Sequence, residues 1–319
     1  MGSFSRIKTI IDEGEKFLLI CHVKPDGDSI GAMLGLAEAL CNIGKKADMV
    51  CKDPIPEFFS FLKHVDGIKN DFLAGEYDAI VLIDNGDLNR TGFAERIKLI
   101  NQKQRPVINI DHHKKNDLWK LAAVNYSDES APSATYLIFK ILKGLKIPIT
   151  PSIATYLSLG LFTDTGGFQH SNTTPEVFEM MSALLSHGAK FNLISNNIYY
   201  QKPVTSLKLW GMALKKLRHI EEYGLVYSVI TKEDIQKLKA SEDEVSGLVN
   251  LMASIPEART ALLIYETLDG NIKGSLRTEK NDIDVSILAS LLGGGGHKKA
   301  AGFTIPGELG STGNSWLIN

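Results

Sequence analysis

The chain has 319 residues, of which 44% are hydrophobic and 23% are charged. This composition is typical of folded globular proteins, so extensive disorder is excluded. The formal net charge of -2 excludes the strongly basic proteins that coat nucleic acid duplexes. No apolar run approaches the roughly 18–20 residues of a membrane helix, and residues 1–8 lack a signal-peptide core. Three cysteines without CxxC spacing indicate free thiols, so we expect a cytoplasmic protein with no membrane partner.

The first half of the chain alternates strand-like and helix-like segments. The hydrophobic pattern predicts strands at 17–21, 47–51, 79–83 and 107–110, and helices at 30–41, 131–145 and 152–162. Strands that alternate with helices form a parallel sheet that is covered on both faces. The first half is therefore predicted to be an α/β domain.

The second half follows a different pattern. Strands are predicted at 225–230, 260–267, 271–276 and 303–305, and helices at 232–239 and 283–292. The two middle strands are expected to form a hairpin around Asp269-Gly270. Three asparagines and Pro203 weaken the pattern between 188 and 207. We expect a first domain at 1–188, a linker at 189–207, a smaller α/β domain at 208–306 and a tail at 307–319.

A cluster of polar residues follows the first predicted strand, in His22-Val23-Lys24-Pro25-Asp26-Gly27-Asp28-Ser29. His22 ends the strand, and Asp26 and Asp28 precede a helix. The carboxyl ends of parallel strands border the crevice where such sheets bind ligands. Helix capping by Asp28 or Ser29 accounts for one acid, but it does not account for His22 and Asp26 beside it. A metal site is the alternative.

Three further segments place acids or histidines at the ends of apolar elements. Asp84 follows the strand 79–83, Asp111-His112-His113 follows the strand 107–110, and Asp164 follows the helix 152–162. Each has a structural explanation as a turn, loop or cap, but their joint occurrence favours one site. Carboxylates mixed with imidazoles suit Mn²⁺ or Mg²⁺. The surplus of carboxylates favours two metals roughly 3.5–4 Å apart, an arrangement that activates water for in-line attack on phosphorus.

A second cluster lies near the end of the chain, in Gly293-Gly294-Gly295-Gly296-His297-Lys298-Lys299. Glycines let backbone N–H groups approach an anion closely, and His297 and a lysine add charged donors. A helix end would account for one glycine but not for four. Arg277 is a candidate for binding phosphate, with a surface ion pair as the alternative.

The set His22-x-x-x-Asp26-x-Asp28, Asp84, Asp111-His112-His113 and Asp164 resembles the DHH phosphoesterase superfamily. The Arg277 region and residues 293–302 resemble its DHH-associated C-terminal domain. Together they are similar to the oligoribonuclease and pAp-phosphatase branch, the NrnA-like proteins, from about Ile7 to Ile305. The resemblance implies a two-lobed α/β enzyme, with a parallel-sheet DHH catalytic domain at 1–188 and a smaller α/β substrate-binding domain at 208–306.

The resemblance also implies roles for the site residues. One metal would be held by His22, Asp26 and Asp84. The other would be held by Asp28, Asp84, His112 and Asp164, with Asp84 as the bridge. Asp111 would orient His112, and His113 would contact the substrate phosphate or assist the leaving group. The far end of the substrate would be bound by Arg277, Gly295, Gly296 and His297.

The activity that the resemblance implies is a Mn²⁺-dependent phosphodiesterase with two ions, Mg²⁺ or Co²⁺ being alternatives. It would hydrolyse short oligonucleotides to 5′-mononucleotides, with pAp and pApA as further substrates. Two alternatives stay open, namely an inorganic pyrophosphatase or polyphosphatase and a nucleotide-binding sensor without turnover. The oligomeric state is also open, with a homodimer as one alternative.

Overall fold

The computed structural model describes residues 2–73, 75, 77–102, 105–200, 202–312 and 315–318. The chain divides into two units, Met1–Tyr200 and Gln201–Asn319. The division lies inside the segment 189–207, which the sequence analysis treats as a linker. Much of that segment is nevertheless helical, and Ile194 is buried.

The first unit is built on a parallel sheet. Its strands are β1 (Lys16–Cys21), β2 (Lys46–Val50), β3 (Ala79–Ile83), β4 (Val107–Asp111) and β5 (Val124–Ser127). Their order is β2-β1-β3-β4-β5, and every neighbouring pair is parallel. The α/β expectation is therefore confirmed.

Helices cover this sheet. They are α1 (Ser3–Glu13), α2 (Gly27–Asn42), α3 (Ala94–Gln102), α4 (Leu118–Leu121), α5 (Ala134–Leu145), α6 (Pro151–Asp164), α7 (Pro175–Ser186) and α8 (Phe191–Ser195). Alternate side chains of β1 enter two different cores, with Leu19 in one and Leu18 and Ile20 in the other. Both faces of the sheet are thus buried, which explains why the strands are continuous apolar runs.

Two glycines allow α2 and α6 to pack closely. A Cβ atom on Gly31 would lie 2.4 Å from the carbonyl oxygen of Tyr156. A Cβ atom on Gly160 would lie 2.4 Å from Asp28 Oδ1 and 2.4 Å from Thr135 Cγ2. Because Asp28 lies in the first turn of α2 and Gly160 lies near the end of α6, this contact brings two candidate ligand segments together.

The second unit contains a six-stranded mixed sheet. Its elements are α9 (Val204–Lys215), β6 (Arg218–Ile220), β7 (Leu225–Ile230), α10 (Lys232–Leu238), α11 (Leu248–Ala253), β8 (Thr260–Glu266), β9 (Asn271–Arg277), α12 (Val285–Leu291), β10 (Gly295–His297), β11 (Ala300–Pro306), β12 (Leu309–Thr312) and β13 (Ser315–Ile318). The sheet order is β10-β11-β9-β8-β7-β6. Strands β8 and β9 pair in an antiparallel hairpin, as predicted.

The segment 307–319 differs from the expected tail. Strands β12 and β13 form an antiparallel hairpin. The backbone N–H of Leu309 donates a hydrogen bond to Glu266 Oε1 at 2.7 Å, and Lys216 Nζ lies 5.4 Å from the centre of the Trp316 ring. These contacts attach the hairpin to the second unit. Across the described residues, every helix is too short or too polar to cross a membrane.

Candidate metal centre

The four predicted segments meet at one edge of the first unit's sheet. His22 follows β1, Asp84 follows β3, and His112 and His113 follow β4. Potential ligand atoms lie within 4.8 Å of one another in three overlapping groups. These groups are His22, Asp26 and Asp84; Asp28, His112 and Asp164; and Asp84, His112 and His113. The carboxyl ends of parallel strands thus bring residues that are distant in sequence into one site.

His22 and Asp26 share the loop between β1 and α2. The Nδ1 atom of His22 lies 2.7 Å from the carbonyl oxygen of Val23, which leaves Nε2 facing Asp26 Oδ2 at 3.6 Å and Asp84 Oδ2 at 3.5 Å. The residue that caps α2 is Asp26, rather than the expected Asp28 or Ser29. Its Oδ1 accepts hydrogen bonds from two backbone N–H groups, whereas its Oδ2 faces His22.

Asp84 lies at the centre of the site and is buried. Its φ of 58° is in the left-handed region, which is uncommon for residues other than glycine. The next residue, Asn85, holds this turn because its side-chain amide donates hydrogen bonds to the carbonyl oxygens of Ile20 and Ile83. Asn85 was not identified from the sequence, although a buried amide directly after a strand-ending acid is a usable signal.

The second group joins three segments of the chain. His112 Nε2 lies 3.2 Å from Asp164 Oδ2, 3.4 Å from Asp84 Oδ1 and 3.9 Å from Asp28 Oδ2. The carboxylate of Asp28 also accepts hydrogen bonds from the backbone N–H groups of Ala134 and Thr135, in the first turn of α5. The N-terminal end of α5 therefore holds Asp28 in place.

The ionisable groups of the site perturb one another in the metal-free protein. Burial disfavours the charged form of His22, but the carboxylates of Asp26 and Asp84 outweigh it and raise the pKa of His22 to about 11. Burial and the charge of Asp84 raise the pKa of Asp28 to about 7. Burial would raise the pKa of Asp84 as well, but His112 and His22 hold it well below its ordinary value. Strongly shifted pKa values in one cluster are typical of functional sites.

The donor set fits divalent cations. His22 Nε2 and Asp84 Oδ1 are buried side-chain atoms without a hydrogen-bond partner among the described residues. Buried polar atoms of this kind are rare unless something else satisfies them. Carboxylate oxygens combined with imidazole nitrogens are ligands of metals such as Mn²⁺ and Mg²⁺. The clusters could therefore bind divalent ions.

Asp111 differs from the sequence expectation. Its Oδ1 lies 2.7 Å from Nδ1 of His113, not near His112, and it also accepts a hydrogen bond from the backbone N–H of His113. Side chains two residues apart on an extended chain lie on the same side, which explains why Asp111 meets His113. The Nδ1 atom of His112 instead lies 3.4 Å from the carbonyl oxygen of Ala131. The expectation that Asp111 orients His112 is therefore corrected.

Asp164 is supported by residues that the sequence analysis did not consider. Its carbonyl oxygen accepts a hydrogen bond from the side-chain amide of Asn172 at 3.2 Å and lies 3.3 Å from His170 Nδ1. Asn172 also donates to the carbonyl oxygen of Pro132 at 3.2 Å. Asn172 thus joins the end of α6 to the segment before α5, which carries the backbone contacts of Asp28.

The second unit brings Arg277 and His297 to the same level of its sheet. Ala300 of β11 pairs with Arg277 on one side and with His297 on the other. Arg277 Nε donates a hydrogen bond to Asn250 Oδ1 at 2.9 Å, a contact that the sequence did not reveal. A cationic side chain and an imidazole are therefore held one strand apart.

The glycine run in the second unit has structural reasons as well. Gly293 has a φ of 74° and follows the end of α12, where glycine commonly ends a helix. A Cβ atom on Gly296 would lie 2.5 Å from the carbonyl oxygen of Ala300. A Cβ atom on Gly295, in contrast, would meet nothing within 4 Å. Helix termination and strand packing therefore account for part of a run that the sequence analysis attributed to anion binding.

Comparison with known proteins assigns the family. Residues 16–161 match the model of the DHH family, N-terminal domain, and residues 211–311 match the model of the DHHA1 domain. A bifunctional oligoribonuclease and PAP phosphatase NrnA from Thermus thermophilus is 30% identical over 289 residues, which cover 90% of this chain and 83% of that protein. The chain belongs to the DHH family.

Other DHH proteins extend along almost the same length. A bifunctional oligoribonuclease and PAP phosphatase NrnA from Mycoplasma genitalium is 28% identical and covers 95% of this chain and 93% of its own. The crystal structure of an exopolyphosphatase-related protein from Bacteroides fragilis superposes with a TM-score of 0.87 and 25% identity, covering 94% of this chain and 90% of that one. The chain is thus a DHH phosphoesterase, and DHH phosphoesterases use divalent metals.

Proposed function

We propose that the protein is a two-metal phosphodiesterase that hydrolyses short oligonucleotides to 5′-mononucleotides and also acts on pAp and pApA, in the cytoplasm. The convergence of three histidines and four carboxylates on Asp84 and its neighbours carries this proposal. The relatives from T. thermophilus and M. genitalium, which are named oligoribonucleases and PAP phosphatases, support the substrate class.

The ligand assignment follows the two groups around Asp84. We assign His22, Asp26 and Asp84 to one ion, and Asp28, Asp84, His112 and Asp164 to the other. Asp84 is assigned as the bridge because its Oδ2 faces His22 at 3.5 Å and its Oδ1 faces His112 at 3.4 Å. Mn²⁺ is the proposed metal, since it accepts both imidazole and carboxylate ligands.

When bound, the two ions activate a water and polarise the phosphate that it attacks. The protein's part is to fix the ligands, and hydrogen bonds at Nδ1 do so for His22, through the carbonyl oxygen of Val23. The proposed role of His113 is to contact the substrate phosphate. Asp111 holds Nδ1 of that ring, so the opposite atom, Nε2, is the one that donates to the phosphate or the leaving oxygen.

The second unit is proposed to bind the far end of the substrate. Arg277 offers a planar guanidinium suited to phosphate, and His297 lies one strand away at the same level. Gly295 and Gly296 are proposed to present backbone N–H groups. Asn250 acts on Arg277, not on the substrate, by accepting a hydrogen bond from Nε.

A product assay with purified protein tests the proposal. The protein is incubated with Mn²⁺ and, in parallel, with pApA, pAp and inorganic pyrophosphate, and products are separated by chromatography. We expect AMP from pApA and from pAp, with pyrophosphate unchanged. Phosphate from pyrophosphate alone would instead assign an inorganic pyrophosphatase, and tight nucleotide binding without any product would assign a sensor.

An Asp84→Asn variant tests the bridging role within the same assay. Removing one carboxylate charge from the centre of the site is expected to lower kcat by at least about 10²-fold, because the loss affects both groups of ligands. The matched control is Asp66→Asn, since Asp66 is exposed and distant in the fold from these ligands. Normal turnover by the Asp84 variant would exclude the bridging role.

A further inference from the structure

Arg90 lies in the loop after β3, six residues beyond Asp84, and its backbone is fixed on both sides. Its carbonyl oxygen accepts a hydrogen bond from the N–H of Val23 at 2.7 Å, and its own N–H donates to Asp87 Oδ1 at 2.9 Å. Val23 directly follows His22. Arg90 is thus anchored between the two loops that carry His22 and Asp84.

The side chain of Arg90 turns back towards the candidate metal centre. A Cβ atom on Gly86 would lie 2.7 Å from Arg90 Nη1 and 3.6 Å from the Cγ and Cδ2 atoms of His113. The guanidinium and the His113 ring therefore border the same small space. Gly86 itself has a φ of 69°, and its N–H donates to Asp111 Oδ2 at 3.0 Å. The glycine keeps this space open for the guanidinium.

This guanidinium has no hydrogen bond or ion pair within the described part of the chain, although the residue is partly buried. Other arginines of the protein are paired. Arg259 contacts the carboxylate of Asp282, and Arg277 contacts Asn250. A guanidinium carries five N–H donors, and leaving them unpaired in a partly buried position is costly. An anion that binds in front of Arg90 would satisfy them.

The charge of the site points to the same kind of ligand. Five carboxylates surround the centre, namely those of Asp26, Asp28, Asp84, Asp111 and Asp164. Two divalent ions would not fully neutralise them, and a phosphodiester adds a further negative charge that grows on its oxygens during hydrolysis. A fixed cation beside the phosphate therefore favours both binding and reaction.

We propose that Arg90 is a substrate-binding catalytic residue that donates hydrogen bonds from its guanidinium to the phosphate undergoing hydrolysis, next to His113. This inference rests on the proposed function, because it takes that phosphate to be the one bound at the candidate metal centre. Arginine suits the role because its planar fork can donate two parallel hydrogen bonds to phosphate oxygens.

Steady-state kinetics with pApA and saturating Mn²⁺ test the catalytic part. Arg90→Gln is expected to lower kcat/KM by about 10²-fold, in the range found for single donors to a developing anion. Arg90→Lys should recover part of this loss, because it restores the charge but not the fork. The matched control is Arg105→Gln, since Arg105 precedes β4 at the opposite edge of the sheet and lies 3.8 Å from Asp78. A kcat/KM of Arg90→Gln within twofold of the unmodified protein would overturn the inference.

Calorimetric titration with inorganic phosphate in the presence of Mn²⁺ gives a second readout that needs no turnover. We expect Arg90→Gln to weaken phosphate binding at least about tenfold, and the increase in unfolding temperature on adding Mn²⁺ to be unchanged. Should the protein leave pApA intact while phosphate binding still depends on Arg90, the proposed function fails and the inference stands. Equal phosphate affinity in the variant and the unmodified protein, or no phosphate binding in either, would overturn the inference.

Discussion

The close packing of α2 on α6 predicts that Gly31→Ala destabilises the first unit. The added Cβ would lie 2.4 Å from a backbone carbonyl oxygen, about 1 Å short of an ordinary van der Waals separation. Overpacking of this kind costs about 1–3 kcal/mol, and the upper part of that range applies because a backbone atom cannot rotate away. Alanine stabilises a helix by about 1 kcal/mol relative to glycine, so the expected net loss is about 2 kcal/mol.

Thermal unfolding measures this effect. For a unit of this size, 2 kcal/mol corresponds to a decrease in Tm of about 4–8 °C. The control is Gly35→Ala one turn further along α2, where the added Cβ would meet Leu157 Cδ2 at 3.0 Å, an atom that can move. We expect that variant to stay within about 1 kcal/mol of the unmodified protein. A Gly31→Ala protein with an unchanged or higher Tm would refute the argument that these helices are held apart by no more than a hydrogen atom.

Three further predictions concern the two sites. The Tm of the metal-free protein should fall between pH 7 and pH 9, because the folded state keeps a proton on His22, whose pKa is about 11, that the unfolded state releases near pH 6.5; each such proton contributes about 1.4 kcal/mol per pH unit, and a flat profile in EDTA would contradict the assignment. Asn85→Ala should lower stability by about 1–3 kcal/mol and weaken Mn²⁺ binding measured by calorimetry, since the carbonyl oxygens of Ile20 and Ile83 lose their donor. Asn250→Ala should raise KM for pApA several-fold with little change in kcat, and an unchanged KM would show that Arg277 needs no support.

The part of the fold that follows hydrophobic runs could be predicted from the sequence. Strands β1, β3 and β4 are almost fully buried, so their apolar runs and their polar ends were both visible. Strand β5 was missed because Val124–Ser127 is mostly polar. A hydrogen bond between the side chains of Asn109 and Asn125 helps to hold it, and no hydrophobic pattern reports such a contact. Helix α1 was missed although Ile7 and Ile11 are buried four residues apart.

The residues of the candidate metal centre could be named from the sequence, but their contacts could not. The acids and histidines stand at element ends, a position that the sequence displays. Which ring Asp111 meets depends on the path of the chain after β4, and the left-handed turn at Asp84 depends on Asn85. Arg90 gave no signal because its importance lies only in its closeness to Gly86 and His113.

The spread of the candidate ligands along the chain affects the order in which the protein can be made. His22 and Asp164 are separated by most of the first unit, and Asp164 is at the end of α6. A nascent chain emerging from the ribosome at about 5–20 residues per second would expose several carboxylates well before α6 arrives. During that interval the early segments form a repelling cluster of acids without their full coordination set. Ion capture is thus a late event of synthesis, coupled to the docking of α6 on α2.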